Sequence, residues 1–285
     1  MTIQWYPGHI AKAERELKEQ LKRVDVVLEV RDARIPLSTH HPQISQWIGS
    51  KAKVLVLNRM DMITPGVRQR WLSWYQSQGE TPYFTNAQQG QGVREVANSV
   101  QEAGVQVNQR RRDRGMLPRP VRAVVIGFPN VGKSALINRL LGRRVVESAR
   151  RPGVTRQLRW VRISEQIELL DAPGIIPSQI KNQENALKLA ICDDIGDASY
   201  DNYLVAAAFV EFLKDLSNTT ESGLFPPSPL MARYDLDPTP LTGENYLHAV
   251  ANSRYQGDIE RTARQLLNDF RKGLLGAIAL ELPPA

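Results

Sequence analysis

At 285 residues, with 42% apolar and 24% charged side chains, the chain has an ordinary globular composition, which excludes collagen-like and disordered classes. Its length suits two domains of roughly 100 to 200 residues each. The single cysteine, Cys192, excludes an intramolecular disulfide and a cysteine-built zinc site, and reads as a small core residue. The net charge of +7 is uneven: fifteen Lys/Arg between Arg110 and Arg162 face only Asp113 and Glu147, a local +13 against −6 elsewhere.

The first residues, Trp5-Tyr6-Pro7-Gly8-His9 among them, show no charged stretch followed by an apolar one. Later apolar runs are too short to span a bilayer, so neither secretion nor membrane insertion is expected and the cytoplasm is the expected location. Ile10, Ala13, Leu17, Leu21 and Val24 recur at helical spacing with lysines and Arg15 between them, predicting an amphipathic helix after Pro7-Gly8. Short apolar runs at Val26 to Val30, Val54 to Leu57 and Pro82 to Thr85 alternate with the helical stretches 66–78 and 92–103. That alternation predicts buried parallel strands of an α/β sheet.

The base-contacting signals come next. Asn58-Arg59-Met60-Asp61, after the second run, resembles the N-K-x-D motif of GTPases, whose carboxylate accepts from guanine N1–H and the 2-amino group. Adenine lacks both donors, so such an aspartate discriminates against ATP. Arg59 stands where the motif has lysine; its stem can pack along a base while its planar head goes elsewhere. Thr85-Asn86-Ala87 stands where GTPases have a base-supporting loop contacting guanine O6, though an ordinary strand-to-loop turn fits it as well.

From Gln106 to Pro120 the chain turns polar and Arg-rich with prolines, which reads as a linker. Its run Arg110-Arg111-Arg112 has two readings, a solvated linker or a footprint for phosphate backbone. Val121 to Ile126 restarts as a strand and leads into Gly127-Phe128-Pro129-Asn130-Val131-Gly132-Lys133-Ser134, a G-x-x-x-x-G-K-[ST] phosphate loop followed by a helix that Gly142 closes. There, backbone N–H groups from Asn130 through Ala135 can wrap a polyphosphate, Lys133 reaches the β- and γ-phosphates, and Ser134 offers a hydroxyl to Mg²⁺.

Strand-like patches at Leu158 to Ile163 and Ile167 to Leu170 end at Asp171-Ala172-Pro173-Gly174. Asp171 can hold Mg²⁺ and Gly174 can present its N–H to a γ-phosphate. Between the two phosphate motifs Pro152-Gly153-Val154-Thr155 reads as a switch, with Thr155 on Mg²⁺, or as a plain loop threonine. Beyond residue 180 the pattern is mostly helical; Ile259, Ala263, Leu266, Leu267 and Phe270 form one stripe, and Pro226-Pro227 and Pro238 to Pro240 mark loops.

The base-reading elements therefore precede the phosphate elements, the reverse of Ras-like proteins. That order, with Trp5-Tyr6-Pro7-Gly8-His9 and Asp32-Ala33-Arg34-Ile35-Pro36, resembles the circularly permuted GTPases that assist ribosome assembly, and among them the YlqF-type large-subunit factors. The likeness runs from Trp5 to Gly174 and more loosely through 258–276 and 280–283. It implies a permuted Ras-like α/β domain over residues 1–178, joined anew near 106–120, and a helical domain over 179–285.

The resemblance further implies a GTP/GDP cycle in which the GTP form engages the large ribosomal subunit or its precursor, with rRNA meeting Arg110, Arg111, Arg112, Arg143 and Arg144, and hydrolysis releasing it. It assigns water positioning to His9, since Ile175 stands where Ras-like enzymes carry glutamine; the plainer readings are that His9 opens the first helix or contacts rRNA. Asn130 matches the asparagine that helps hold K⁺ in potassium-activated relatives, or else makes backbone contacts only. The rival from another class is an RNA-binding module or RNA chaperone for which GTP is a conformational ligand; a translation or tRNA-modification GTPase suits the permuted order less well.

Overall fold

A computed structural model of the chain describes residues 8–142, 159–172, 174–177, 180, 182–195, 199–217 and 226–284. In chain order the elements are α1 (Gly8–Leu21), β1 (Val26–Asp32), α2 (Ile44–Ile48), β2 (Ala52–Asn58), a 3₁₀ turn (Met60–Met62), α3 (Pro65–Ser77), β3 (Pro82–Thr85), α4 (Val93–Asp113), β4 (Val121–Ile126) and α5 (Lys133–Leu140). They continue with β5 (Arg159–Arg162), β6 (Ile167–Asp171), α6 (Gln183–Cys192), α7 (Asn202–Ser217), α8 (Pro229–Tyr234), α9 (Gly243–Arg254) and α10 (Ile259–Arg271).

Local chemistry sets the boundaries. Thr64 caps α3 by accepting from Val67 N–H with Pro65 inside the first turn, and Asp258 caps α10 by accepting from Arg261 N–H at 2.9 Å. β1 is buried along its whole length, as expected of a central parallel strand covered on both faces. The expected linker over 106–120 is corrected in part: α4 continues to Asp113. Gln106 to Asp113 holds no Gly or Pro and is rich in Gln and Arg, good helix formers, so its polarity marks a solvated helix face. The irregular connection is 114–120.

The six strands lie in the order β3-β2-β1-β4-β6-β5, all parallel except β5, which runs antiparallel to β6. Counting from β4 round to β3 and reading from the β5 edge, the order becomes second, third, first, fourth, fifth, sixth. This is the Ras-like sheet with its chain opened between β3 and β4, the circularly permuted arrangement that the motif order implied. Ligands of open α/β sheets sit outside the carboxyl ends of the strands, where the connection reverses direction, here between β1 and β4.

Helices α6, α7, α9 and α10 pack together after the sheet. One apolar cluster is continuous from Val26, Leu28 and Val125 of the sheet to Leu189, Phe209, Leu247 and Phe270 of these helices. A second seats Leu17 and Leu21 of α1 against Val124, Ile126, Leu170 and Ile175. The chain then returns to the sheet: Leu280 and Glu281 N–H donate to Arg34 O at 3.0 and 3.2 Å, and Glu281 Oε2 accepts from Leu37 N–H at 2.8 Å. No helix among the described residues is long and apolar enough to cross a membrane.

Candidate functional site

The described base-side and phosphate-side motifs gather at the carboxyl edge of the sheet, whereas Arg110 to Arg112 lie at the end of α4. Asn58 ends β2, Asn86 and Ala87 follow β3, Asn130 to Ala135 follow β4, Asp171 ends β6 and Gly174 comes shortly after it. Lys133 opens α5 and is buried; its Nζ donates to Phe128 O at 2.7 Å and Gly127 O at 3.1 Å. Burial pushes its amine down to about 8, against the opposing pull of Asp171 and Asp194. Ser134 and Ala135 complete the first turn of α5, half-buried, where free helix N–H groups favour an anion. Asp171 is buried at the end of β6, and Gly174 lies so close to the phosphate loop that a Cβ would come within 2.7 Å of Pro129 N.

Asn58 joins three loops. Its Nδ2 donates to Val131 O at 2.8 Å, and its Oδ1 accepts from Thr85 Oγ1 and Ala87 N–H, both at 3.0 Å. Gly132 has φ +101, and a Cβ there would fall 2.1 Å from Asn58 Nδ2, so the phosphate loop can approach only as glycine. Arg59 is left-handed at φ 66; its guanidinium donates to Asn130 O at 2.7 Å and pairs with Asp32 at 3.2 Å. Its head thus goes to the phosphate loop and Asp32. Asp61 sits exposed in the 3₁₀ turn. Arg139 of α5 reaches across to the carbonyls of Ala87 and Gln88, tying the phosphate helix to the loop after β3.

Beneath these loops lies a charged layer that sequence reasoning missed. Arg34 is fully buried and grips Asp32 with two nitrogens, at 3.0 and 2.7 Å, while also donating to Cys192 O at 3.3 Å. Asn130 is left-handed, and its Nδ2 donates to Asp193 O at 2.6 Å. Asp194 is completely buried with neither carboxylate oxygen hydrogen-bonded; burial and the nearby Asp32 push it well above the ordinary carboxylate range, against Arg59 and Arg34. A carboxylate and an arginine two apart at a strand end was the available signal, since side chains i and i+2 share a face. Nothing local marks Asp193 and Asp194, whose neighbours lie in distant segments.

Thr155, Arg143, Arg144 and Pro173 lie outside the described residues, as do Trp5 to Pro7 and the side chain of His9. The backbone of His9 is in the first turn of α1.

Residues 122–208 match the family described as 50S ribosome-binding GTPase. The chain is 34% identical to ribosome biogenesis GTPase A of Bacillus pumilus, with 99% of each protein aligned. It is 35% identical to that of Priestia megaterium over 99% of this chain and 98% of the other, and 30% identical to mitochondrial ribosome-associated GTPase 1 of Mus musculus over 98% and 90%. The fold is similar to GNP-bound YlqF from T. maritima, with a TM-score of 0.66 and 21% identity over 95% of this chain and 98% of that one. With base-side loops ahead of its phosphate loop on a permuted sheet, and a third of its residues shared over nearly full length, this chain belongs to the ribosome biogenesis GTPase A family.

Proposed function

We propose that the chain binds and hydrolyses GTP as an assembly factor for the large ribosomal subunit, working in the cytoplasm, with rRNA meeting its basic segment and hydrolysis releasing it. The observation that carries this is Asn58, which holds the loops after β2 and β3 against the phosphate loop and so couples a base-reading half to a phosphate-binding half. In this reading Asp61 accepts from guanine, Asn86 and Ala87 support the base, and Asn130, Val131, Gly132, Lys133, Ser134, Ala135 and Gly174 surround the phosphates.

The residues fit Mg²⁺: buried Asp171 ends its strand beside the charge of Lys133, and Ser134 is in the first turn of α5. Ser134 and Asp171, with Thr155, would hold the ion, which supplies positive charge to the β- and γ-phosphates. Asn130 also suits K⁺: its Nδ2 is committed to Asp193 O, which turns Oδ1, the cation-binding end, the other way.

His9 would orient the attacking water, because Ile175 is buried in an apolar cluster and has no group to offer. Support comes from α1, whose Leu17 and Leu21 share that cluster. A helix of 14 residues spans about 20 Å, much like the seven-residue β1 that follows it, so an antiparallel path brings its first turn to the nucleotide edge.

Cosedimentation with large-subunit particles tests the proposal. The chain should pellet with them in the presence of a non-hydrolysable GTP analogue and not with GDP. Equal binding in both states would overturn a GTP-gated cycle of engagement and release.

A further inference from the structure

An open cleft of about 450 Å³ lies at the opposite edge of the sheet, between the starts of β1 and β2 and the last turns of α4 with the loop after it. A seven-residue strand separates the two edges by roughly 20 Å, so this cleft is independent of the nucleotide site. Lys51, Arg110 and Arg114 line it, and among the described residues none of the three has a carboxylate partner. The other two cations of the cleft are committed. Arg119 grips Asp25 at 2.7 and 3.0 Å, and Arg111 donates to Leu117 O at 3.0 Å.

The wall is built rather than loose. Asn108 holds the backbone of Arg119 in both directions, its Nδ2 donating to Arg119 O at 3.0 Å and its Oδ1 accepting from Arg119 N–H at 3.1 Å. The N–H groups of Arg114 and Met116 both donate back to Arg111 O. Cations also settle at helix C-termini for the dipole alone, and Arg111 meets that need. The same need extends to Arg114, the residue that closes α4, but not to Lys51, which precedes β2. Nor does it account for Met116, an apolar side chain that lines the cleft and is 40% exposed.

Uncompensated positive charge beside an exposed apolar side chain suits a strand that offers phosphates and an unstacked base together; a duplex keeps its base faces hidden. We propose that this cleft is a second, nucleotide-independent site for unpaired RNA, with the phosphodiester backbone on Lys51, Arg110 and Arg114 and a base or sugar against Met116. It rests on the reading that the chain works on ribosomal RNA, and it divides the arginine run: Arg110 and Arg111 line the cleft, whereas Arg112, one helical step round, does not.

The test is fluorescence anisotropy of a labelled oligouridylate with the full chain bound to GDP, across a salt series. Lys51→Ala and Arg114→Ala should each weaken binding and lower the salt slope by about 0.7, the value for one single-strand phosphate contact. Arg112→Ala, with the same charge change, should leave both unchanged, and Met116→Ala should weaken binding at an unchanged slope. Unaltered GDP affinity shows that each variant is folded. The proposal is overturned if Arg112→Ala is as damaging as the cleft variants, if an RNA duplex binds as tightly, or if polyglutamate displaces the oligonucleotide at equal charge, which would make the surface one for acidic protein. Variants that lose oligouridylate yet cosediment with particles as before would refute a role on ribosomal RNA. Failure of the wild-type chain to cosediment would count against the proposed function instead, since oligouridylate binding is read without particles.

Discussion

At the scale of the residue, Lys133 makes a proton-linked prediction. Its amine, lowered to about 8 by burial, gains stabilising charge when polyphosphate arrives, so the bound form has the higher pKa. GDP binding should therefore take up a proton above pH 8, and affinity should be full below 8 and fall by up to roughly tenfold per pH unit above it. Calorimetry in buffers of different ionisation enthalpy reads that uptake; constant affinity with no uptake on either side of pH 8 would contradict it. Lys133, Ser134 and Asn58 were legible in the sequence because their motif spacings encode local geometry. Arg34 was legible only as part of a family signature, since its burial depends on Cys192, 158 residues away. The pairing of Asn130 with Asp193 was illegible for the same reason, its partners standing 63 residues apart.

Among elements, the end of α6 shows how the helical part meets the phosphate loop. Its last carbonyls are the orphans of any helix terminus, and side chains from elsewhere satisfy them: Arg271 takes those of Ala190 and Ile191, Arg34 that of Cys192, and Asn130 that of Asp193. Asn130→Ala should free this end, raising hydrogen exchange of the 192–195 amides. If Asn130 also holds K⁺, the variant should erase any excess of turnover in KCl over NaCl at equal ionic strength. Unchanged exchange would show that the tie carries no weight, and equal wild-type rates in both salts would remove K⁺ from the mechanism. Element boundaries were legible where Pro, Gly or a capping residue marks them, as at Thr64-Pro65 and Asp258. They failed at α4, where an arginine-rich turn of helix and an arginine-rich linker share one composition.

For the whole molecule, the order of the motifs was enough to infer the permuted sheet, because each strand carries its own loop signature at its carboxyl end. The division at residue 178 remains our proposal, and the apolar core runs across it without a break. Asp194 sits at that seam, and its acid is held well above the ordinary 3.8. An acid raised on folding costs nothing below its unfolded value and costs progressively more stability as pH rises above it. Asp194→Asn should therefore raise the melting temperature at neutral pH by a few degrees, with the gain shrinking toward pH 4; a gain independent of pH would place its origin in packing. The contact of Glu281 with Ser38, 243 residues back along the chain, was invisible to any local pattern. The pairing of β1 with β4 has a consequence in time. Val26 waits for Ala123, 97 residues later, before it has its partner on that side. During synthesis the first three strands therefore emerge with a bare, apolar edge at what will be the middle of the sheet, an invitation to wrong pairing. A nascent copy of this protein should need shelter until β4 has left the ribosome, and a pause in synthesis before β4 has emerged should lower its soluble yield more than an equal pause after it has.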